Sequence, residues 1–282
     1  MAIAAAMLAS PAAETCPAAM LTVENLEVVY SRVIVAVQGI SLRVPEHSIV
    51  AVLGTNGAGK TTTVRAISGF LPVDDAEIRK GSIYFRGQSI AKLPPYYIAQ
   101  AGVVLVPERR KIFETLTVWD NLRLARVRRK VSSDWHQQAE RLFSIFPALA
   151  ARRKQLAGYL SGGERQMLAI AQGLLCEPRL LIVDELSLGL APHLVHELMK
   201  RIRQLRQEFD VSVLLIEQDA ISALEIADYG YIMESGRIVF EGLPEKLRNH
   251  QDVQEFYLGS VGGGRTSYRD VKQYRRGRRW WG

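Results

Sequence analysis

Hydrophobic positions along this chain fall into short runs that alternate between two periodicities. From Leu21 the text is rich in β-branched residues, over Leu21–Val29, Val37–Val44 and Ser48–Leu53. The last of these is continuously apolar and ends at Gly54, as expected of a buried strand that feeds a loop. Lys60–Ser68 has helical spacing and stops at Gly69. Gly81–Arg86 and Val103–Val106 again look like strands. From about Phe113 to Tyr159 the sequence is charged and helical with no buried strand, which predicts a helical insertion. Beyond it come a helix (Gly162–Leu175), a strand (Leu180–Val183), a helix (Leu194–Phe209), a strand (Val211–Ile216), a helix (Ala220–Ala227) and a hairpin (Tyr229–Met233, Arg237–Glu241). Strands alternating with helices predict an α/β layered fold.

Charge changes this picture only at one end. The net charge is +7, but residues 261–282 hold seven Lys/Arg and one Asp, leaving 29 basic against 28 acidic residues before them. The body therefore offers no whole-surface argument for nucleic acid. The tail, Tyr268–Gly282, mixes Arg with Tyr and a Trp280-Trp281 pair. That composition suits anionic lipid headgroups, nucleic acid, or simple solvation. Gly262–Gly264 reads as a flexible joint leading into it. Residues 1–20 are Ala-rich, without the basic start of a secretion signal, and are expected to be a disordered extension or to precede a true start at Met20. Two cysteines, Cys16 and Cys176, form no metal spacing and fit a reducing compartment. No stretch reaches the roughly 18 apolar residues of a spanning helix. The basic cluster Arg123, Arg126, Arg128, Arg129 and Lys130 reads chiefly as a solvated helix face.

Three segments carry chemistry. Gly54, Thr55, Asn56, Gly57, Ala58, Gly59, Lys60 and Thr61, followed by Thr62, form a G-x4-G-K-T phosphate loop between a strand and a helix. Its glycines let backbone N–H groups approach phosphate oxygens, and the helix points its positive end at the same place. Lys60 would neutralise phosphate charge, and the Thr61 hydroxyl would ligate Mg²⁺. The second segment, Leu180–Glu185, is an apolar strand ending in two carboxylates. Asp184 would hold Mg²⁺ through water, and Glu185 would act as general base on an attacking water. The third, Leu160–Gln166, puts Ser161, Gly162, Gly163 and Glu164 at a helix start, which is either a second anion site or an ordinary N-cap.

In this order the three segments resemble the ATP-binding cassette family: Walker A at 54–61, signature at 160–164 and Walker B at 180–185. The likeness covers about residues 21–258. It implies a P-loop core of RecA type with an antiparallel β portion and an inserted helical subdomain at about 113–160. It also implies a head-to-tail pair of cassettes, in which Ser161 and Gly163 of one chain grip ATP held by the other, and a Tyr30 that stacks on adenine. Two switch positions depart from the usual pattern. Glu108 stands where a γ-phosphate- and Mg²⁺-sensing Gln is common, and Gln218 where a His is common. With Ser187–Pro192 they resemble the second cassette subunit of branched-chain amino acid and urea/amide importers. In that segment Leu186 replaces a usual proline, which puts the local loop conformation in question. Gln218 is expected to orient by hydrogen bonding, since an amide cannot titrate.

The resemblance implies the cofactors ATP and Mg²⁺ and a place on the cytoplasmic face of a membrane. The implied partners are a companion cassette, two polytopic permease subunits and, indirectly, an extracytoplasmic solute-binding protein. The Glu108–Thr115 segment is expected to meet the permease through Ile112 or Phe113. The solute stays open among branched-chain amino acids, urea or amides, and small aromatic carboxylates. The competing class is a soluble cassette ATPase acting on ribosomes or DNA, but such proteins usually carry two fused cassettes or long coiled-coil inserts. A nucleotide-binding regulator without turnover sits poorly with an intact Asp184-Glu185 pair.

Overall fold

The computed structural model describes residues 19–108, 112–125 and 135–257. The readings of the N-terminal extension, of Arg126, Arg128, Arg129 and Lys130, and of the basic tail lie outside the described residues. Two sheets organise the rest. The first is antiparallel, in the order β2-β1-β4-β5, built from β1 (Ala19–Tyr30), β2 (Ile34–Pro45), β4 (Ala76–Phe85) and β5 (Gln88–Ser89). The second has six strands in the order β10-β9-β3-β8-β7-β6. Its members are β3 (Ile49–Gly54), β6 (Val103–Val106), β7 (Leu180–Asp184), β8 (Ser212–Glu217), β9 (Tyr229–Glu234) and β10 (Arg237–Gly242). Five run parallel, and only β10 pairs antiparallel, with β9.

The second sheet is covered on both faces, which explains the uninterrupted apolar runs. Because side chains alternate along a strand, Val50 and Val52, Leu180 and Ile182, and Leu214 and Ile216 pack toward the antiparallel sheet and α1 (Lys60–Ser68). Ala51 and Leu53, Leu181 and Val183, and Val213 and Leu215 face the opposite way. There they meet α6 (Gly162–Leu175), α7 (Pro192–Phe209) and α8 (Ala220–Ile226). The segment expected to be helical carries α3 (Val118–Ala125), α4 (Trp135–Ile145) and α5 (Pro147–Ala151), whose buried Val118, Leu122, Leu142, Phe143 and Leu149 join the core on the α6, α7 and α8 side of the sheet.

Several elements differ from expectation. β4 begins at Ala76 rather than at Gly81. Gly81 has φ 93°, and a Cβ there would sit 2.5 Å from the carbonyls of Glu24 and Asn25, so it marks a bulge within the strand. Helices α2 (Pro95–Ala101), α9 (Pro244–Asn249) and α10 (Gln251–Phe256) were not expected; each is a turn or two long and starts behind a proline or a short linker. Met20 is buried within β1. Leu186 buries its side chain completely in the core on the α6, α7 and α8 side of the sheet.

Candidate functional site

The strand ends of the parallel sheet converge on one cleft of about 340 Å³, lined by Ala36, Asn56, Gly57, Gly59, Lys60, Thr61, Thr62, Glu108 and Glu185. Gly54 closes β3, and a Cβ there would stand 2.4 Å from the Met233 carbonyl oxygen; only glycine lets the loop leave the sheet at this point. Gly59 caps α1 in a left-handed conformation, no side chain satisfies the N–H groups of the first turn, and that turn holds no acidic residue. The helix start is therefore open to an anion.

Lys60 is 3% exposed and folds back into the loop. Its ammonium donates to the carbonyls of Gly54 (2.8 Å) and Thr55 (3.1 Å) and pairs with Glu185 Oε1 at 3.0 Å. Glu185 Oε2 accepts from Gln218 Nε2 at 2.8 Å, and the same nitrogen donates to Asn56 Oδ1 at 2.5 Å. Phosphate loop, strand-end acid and switch amide thus form one chain of contacts. Glu185 holds φ 44°, which turns the backbone sharply after Asp184.

Asp184 is 3% exposed, and its Oδ1 has no hydrogen-bond partner. Burial, then the negative charges of Glu185 and Glu108, push its carboxyl up to about 6, against the pull of Lys60 and Arg65. Asp184 is not itself part of the cleft's lining, but its orphaned carboxylate oxygen beside the charges of Glu185 and Glu108, with Thr61 in the lining, is a donor set that fits a hard divalent cation. Tyr30 is half-buried at the flank; its hydroxyl meets Thr62 Oγ1 at 3.2 Å.

The structure does not bring the Ser161–Glu164 segment into this cleft's lining. Ser161 is the N-cap of α6, its hydroxyl accepting from the Glu164 N–H, while Glu164 Oε2 accepts from the Ser161 N–H at 2.8 Å. Burial works to raise the Glu164 pKa, but Ser161 and Arg152, which lies 2.7 Å away, outweigh it and hold the carboxyl below its ordinary value. The cap reading of Ser161 therefore holds, and Ser161 and Gly162 still face outward. Phe113 is 58% exposed, and both its backbone N–H and its carbonyl are held by the buried Asn121 side chain.

Two site residues, Ala36 and Glu217, were not picked out from the sequence, nor was the pairing of Asn56 with Gln218. Ala36 lines the cleft from β2, and nothing in its text marks it. The specific role of Asn56 as the partner of Gln218 is a contact across 162 positions. Glu217, fully buried at the end of β8, accepts from the Ser187 N–H and from the Ser187 hydroxyl. Burial pushes its carboxyl up to about 7 despite those donors, and the charge of Glu185 adds to the rise.

Fold and cleft together define a P-loop nucleotide-binding ATPase. The pattern of the ABC transporter family matches residues 37–187, and the chain belongs to that family as an ATP-hydrolysing subunit. It is 38% identical over 240 residues to the high-affinity branched-chain amino acid transport ATP-binding protein BraG of Pseudomonas aeruginosa, covering 85% of this chain and 100% of that one. It is 35% identical over 221 residues to a probable branched-chain amino acid transport ATP-binding protein, LivF, of Archaeoglobus fulgidus, covering 77% and 90%. Among solved structures it resembles the ADP conformation of MJ1267, an ATP-binding cassette of an ABC transporter, with TM-score 0.74, 25% identity and coverage of 86% and 99%. Among the described residues no helix is long and apolar enough to cross a membrane.

Proposed function

We propose that this chain powers uptake of branched-chain amino acids, hydrolysing ATP held between its own phosphate loop and the Ser161–Gly163 tip of a companion cassette. The observation that carries the mechanism is the unbroken contact from Asn56 through Gln218 and Glu185 to Lys60. The solute class follows the names of the relatives, since solute specificity lies in other chains.

Residues Gly54 to Thr62 wrap the phosphates with backbone N–H groups, and Lys60 moves its charge from Glu185 to the β and γ oxygens. Glu185, released from that pair, accepts a proton from the attacking water while Gln218 holds its carboxylate in place. Thr61, Asp184 and Glu108 would hold Mg²⁺, which would supply neutralisation of phosphate charge. Tyr30 offers its ring to adenine. In trans, Ser161, Gly162 and Gly163 supply donors at a helix start, and Glu164 keeps that tip in shape through the capping box. The partners are a second cassette, two polytopic permeases and, through them, an extracytoplasmic solute-binding protein. The chain sits peripherally at the cytoplasmic face, with Phe113 toward the permease.

The test is reconstitution with the neighbouring permeases and binding protein in vesicles. Wild type should couple ATP hydrolysis to leucine, isoleucine or valine uptake, and Glu185→Gln should bind ATP while losing both. Uptake of another solute class alone removes the substrate assignment; undiminished hydrolysis by Glu185→Gln removes the general base.

A further inference from the structure

The loop from Glu185 to Ala191 leaves the catalytic edge and returns at the start of α7, and three contacts define its path. At its root the Glu185 N–H donates to the Ile216 carbonyl at 2.9 Å. One step on, the Ser187 N–H donates to Glu217 Oε1 at 3.1 Å and the Ser187 hydroxyl donates to Glu217 Oε2. At its far side Leu190 packs toward the signature tip, where a Cβ on Gly162 would meet it at 3.2 Å. Between these anchors Leu188 is half exposed, and Gly189 sits in open space with φ 78°. The loop is pinned at the catalytic edge and free at its crest.

The pin is chemically unusual. Glu217 is fully buried on the α6/α7 face of the sheet, in register with Leu53 of β3, and directly precedes Gln218 in the chain. A buried carboxylate is costly there, and the side chain that meets it is a neutral serine rather than a cation. Packing alone would be served better by an apolar residue. A carboxylate, though, accepts two donors at once from one residue, fixing Ser187 in both position and rotation.

We propose that Glu217 is a positioning residue for hydrolysis: by clamping Ser187 it ties the loop that follows Glu185, with its exposed Leu188–Gly189 crest, to the strand end that carries Gln218, and so holds the base in place. The proposal rests on the reading of Glu185 as general base, and its test separates the two.

The purified full chain is assayed for MgATP turnover as wild type, Glu217→Ala, Glu217→Gln, Ser187→Ala, the double variant and Glu185→Gln. Amide hydrogen exchange over residues 185–191 is followed in parallel without nucleotide. Glu217→Ala should lower kcat about tenfold with KM for ATP within about twofold, and speed exchange of the Ser187 amide about tenfold or more. Glu217→Gln still accepts from the Ser187 N–H and can donate to its hydroxyl, so it should restore both readouts. The double variant should be no worse than Glu217→Ala. Wild-type kcat in Glu217→Ala, equal damage in Glu217→Gln, or unchanged Ser187 exchange overturns the proposal; where turnover is too slow to read, exchange alone decides. Wild-type turnover in Glu185→Gln instead overturns the general-base reading, while the exchange result still judges the clamp.

Discussion

Lys60 and Glu185 form an ion pair, 3.0 Å between Nζ and Oε1, whose side chains are only 3% and 9% exposed. The two partners are not equally dependent on it. Lys60 keeps two backbone carbonyls if the carboxylate goes, whereas the Glu185 carboxylate would keep, among the described residues, Gln218. Stranding a buried charge costs about 3–5 kcal/mol, less where other partners remain. Lys60→Met should therefore lower unfolding free energy by about 2–3 kcal/mol, and Glu185→Gln by about 1 kcal/mol or less. Denaturant midpoints measure this. Glu185→Gln should also bind ATP at least as tightly as wild type, because the ammonium no longer has to leave a carboxylate; equilibrium binding checks it.

Asp184 destabilises its own strand end. Its carboxyl is raised to about 6 from an ordinary 3.8, so the unfolded chain ionises more readily than the folded one. That preference for the protonated form is present below the ordinary value and lost as pH rises through about 6, leaving a penalty at pH 8. Asp184→Asn removes it and supplies an amide near the acidic Glu185 and Glu108. The variant should melt a few degrees higher than wild type at pH 8 without ligand, a gain on the order of 1–2 kcal/mol. Its further stabilisation by MgATP over ATP with EDTA should largely vanish. Thermal melts under the three conditions decide it.

What the sequence disclosed follows from the range of the interactions concerned. Helices α1 and α6 were legible to the residue because their limits are local: Gly69 takes a left-handed cap, and Ser161 and Glu164 cap each other. Strands β3, β7 and β8 were legible because burial on both faces demands unbroken apolar text. Helix α2 was not, since Pro94-Pro95-Tyr96-Tyr97 is too short to show a period and leaves both tyrosines exposed. The phosphate loop and the acid pair announced themselves through residue type. Their wiring through Asn56 and Gln218 did not, because no local rule joins positions so distant. Glu217 was hidden in plain text, at the end of an apolar run where a polar residue reads as the exit from the core, although it is wholly buried.

That burial gives Glu217 a pH signature of its own. Its carboxyl rises from 4.5 to about 7, so stability from the protonated form is complete below 4.5 and disappears as pH climbs through 7. Glu217→Gln mimics the protonated acid at every pH. It should match wild type in chemical denaturation near pH 4.5 and exceed it at pH 8, the gap growing by on the order of 3 kcal/mol. A gap that stays flat across this interval would show that Ser187 stabilises the anion as well as water does.

Gln218 explains why an amide can stand where a histidine is usual. Its Nε2 donates to Glu185 Oε2 and to Asn56 Oδ1 together, using both hydrogens of one nitrogen. A ring nitrogen of imidazole carries a single hydrogen, so a histidine could hold Glu185 or Asn56 from that atom but not both. Gln218→Ala should cost about tenfold in kcat with little change in ATP affinity, as expected when an orienting contact is lost. Asn56→Ala should weaken turnover in the wild-type background and have no further effect in Gln218→Ala, because the two act through one bridge. Gln218→His should recover turnover in part, acquire a dependence on pH near the imidazole range of about 6.5, and become indifferent to Asn56→Ala. Steady-state rates for the three single and two double variants, taken from pH 5.5 to 8.5, test the bridge directly. Full additivity of Asn56→Ala with Gln218→Ala would mean that the amide reaches Glu185 alone during catalysis and that the phosphate loop is coupled to the base only through Lys60.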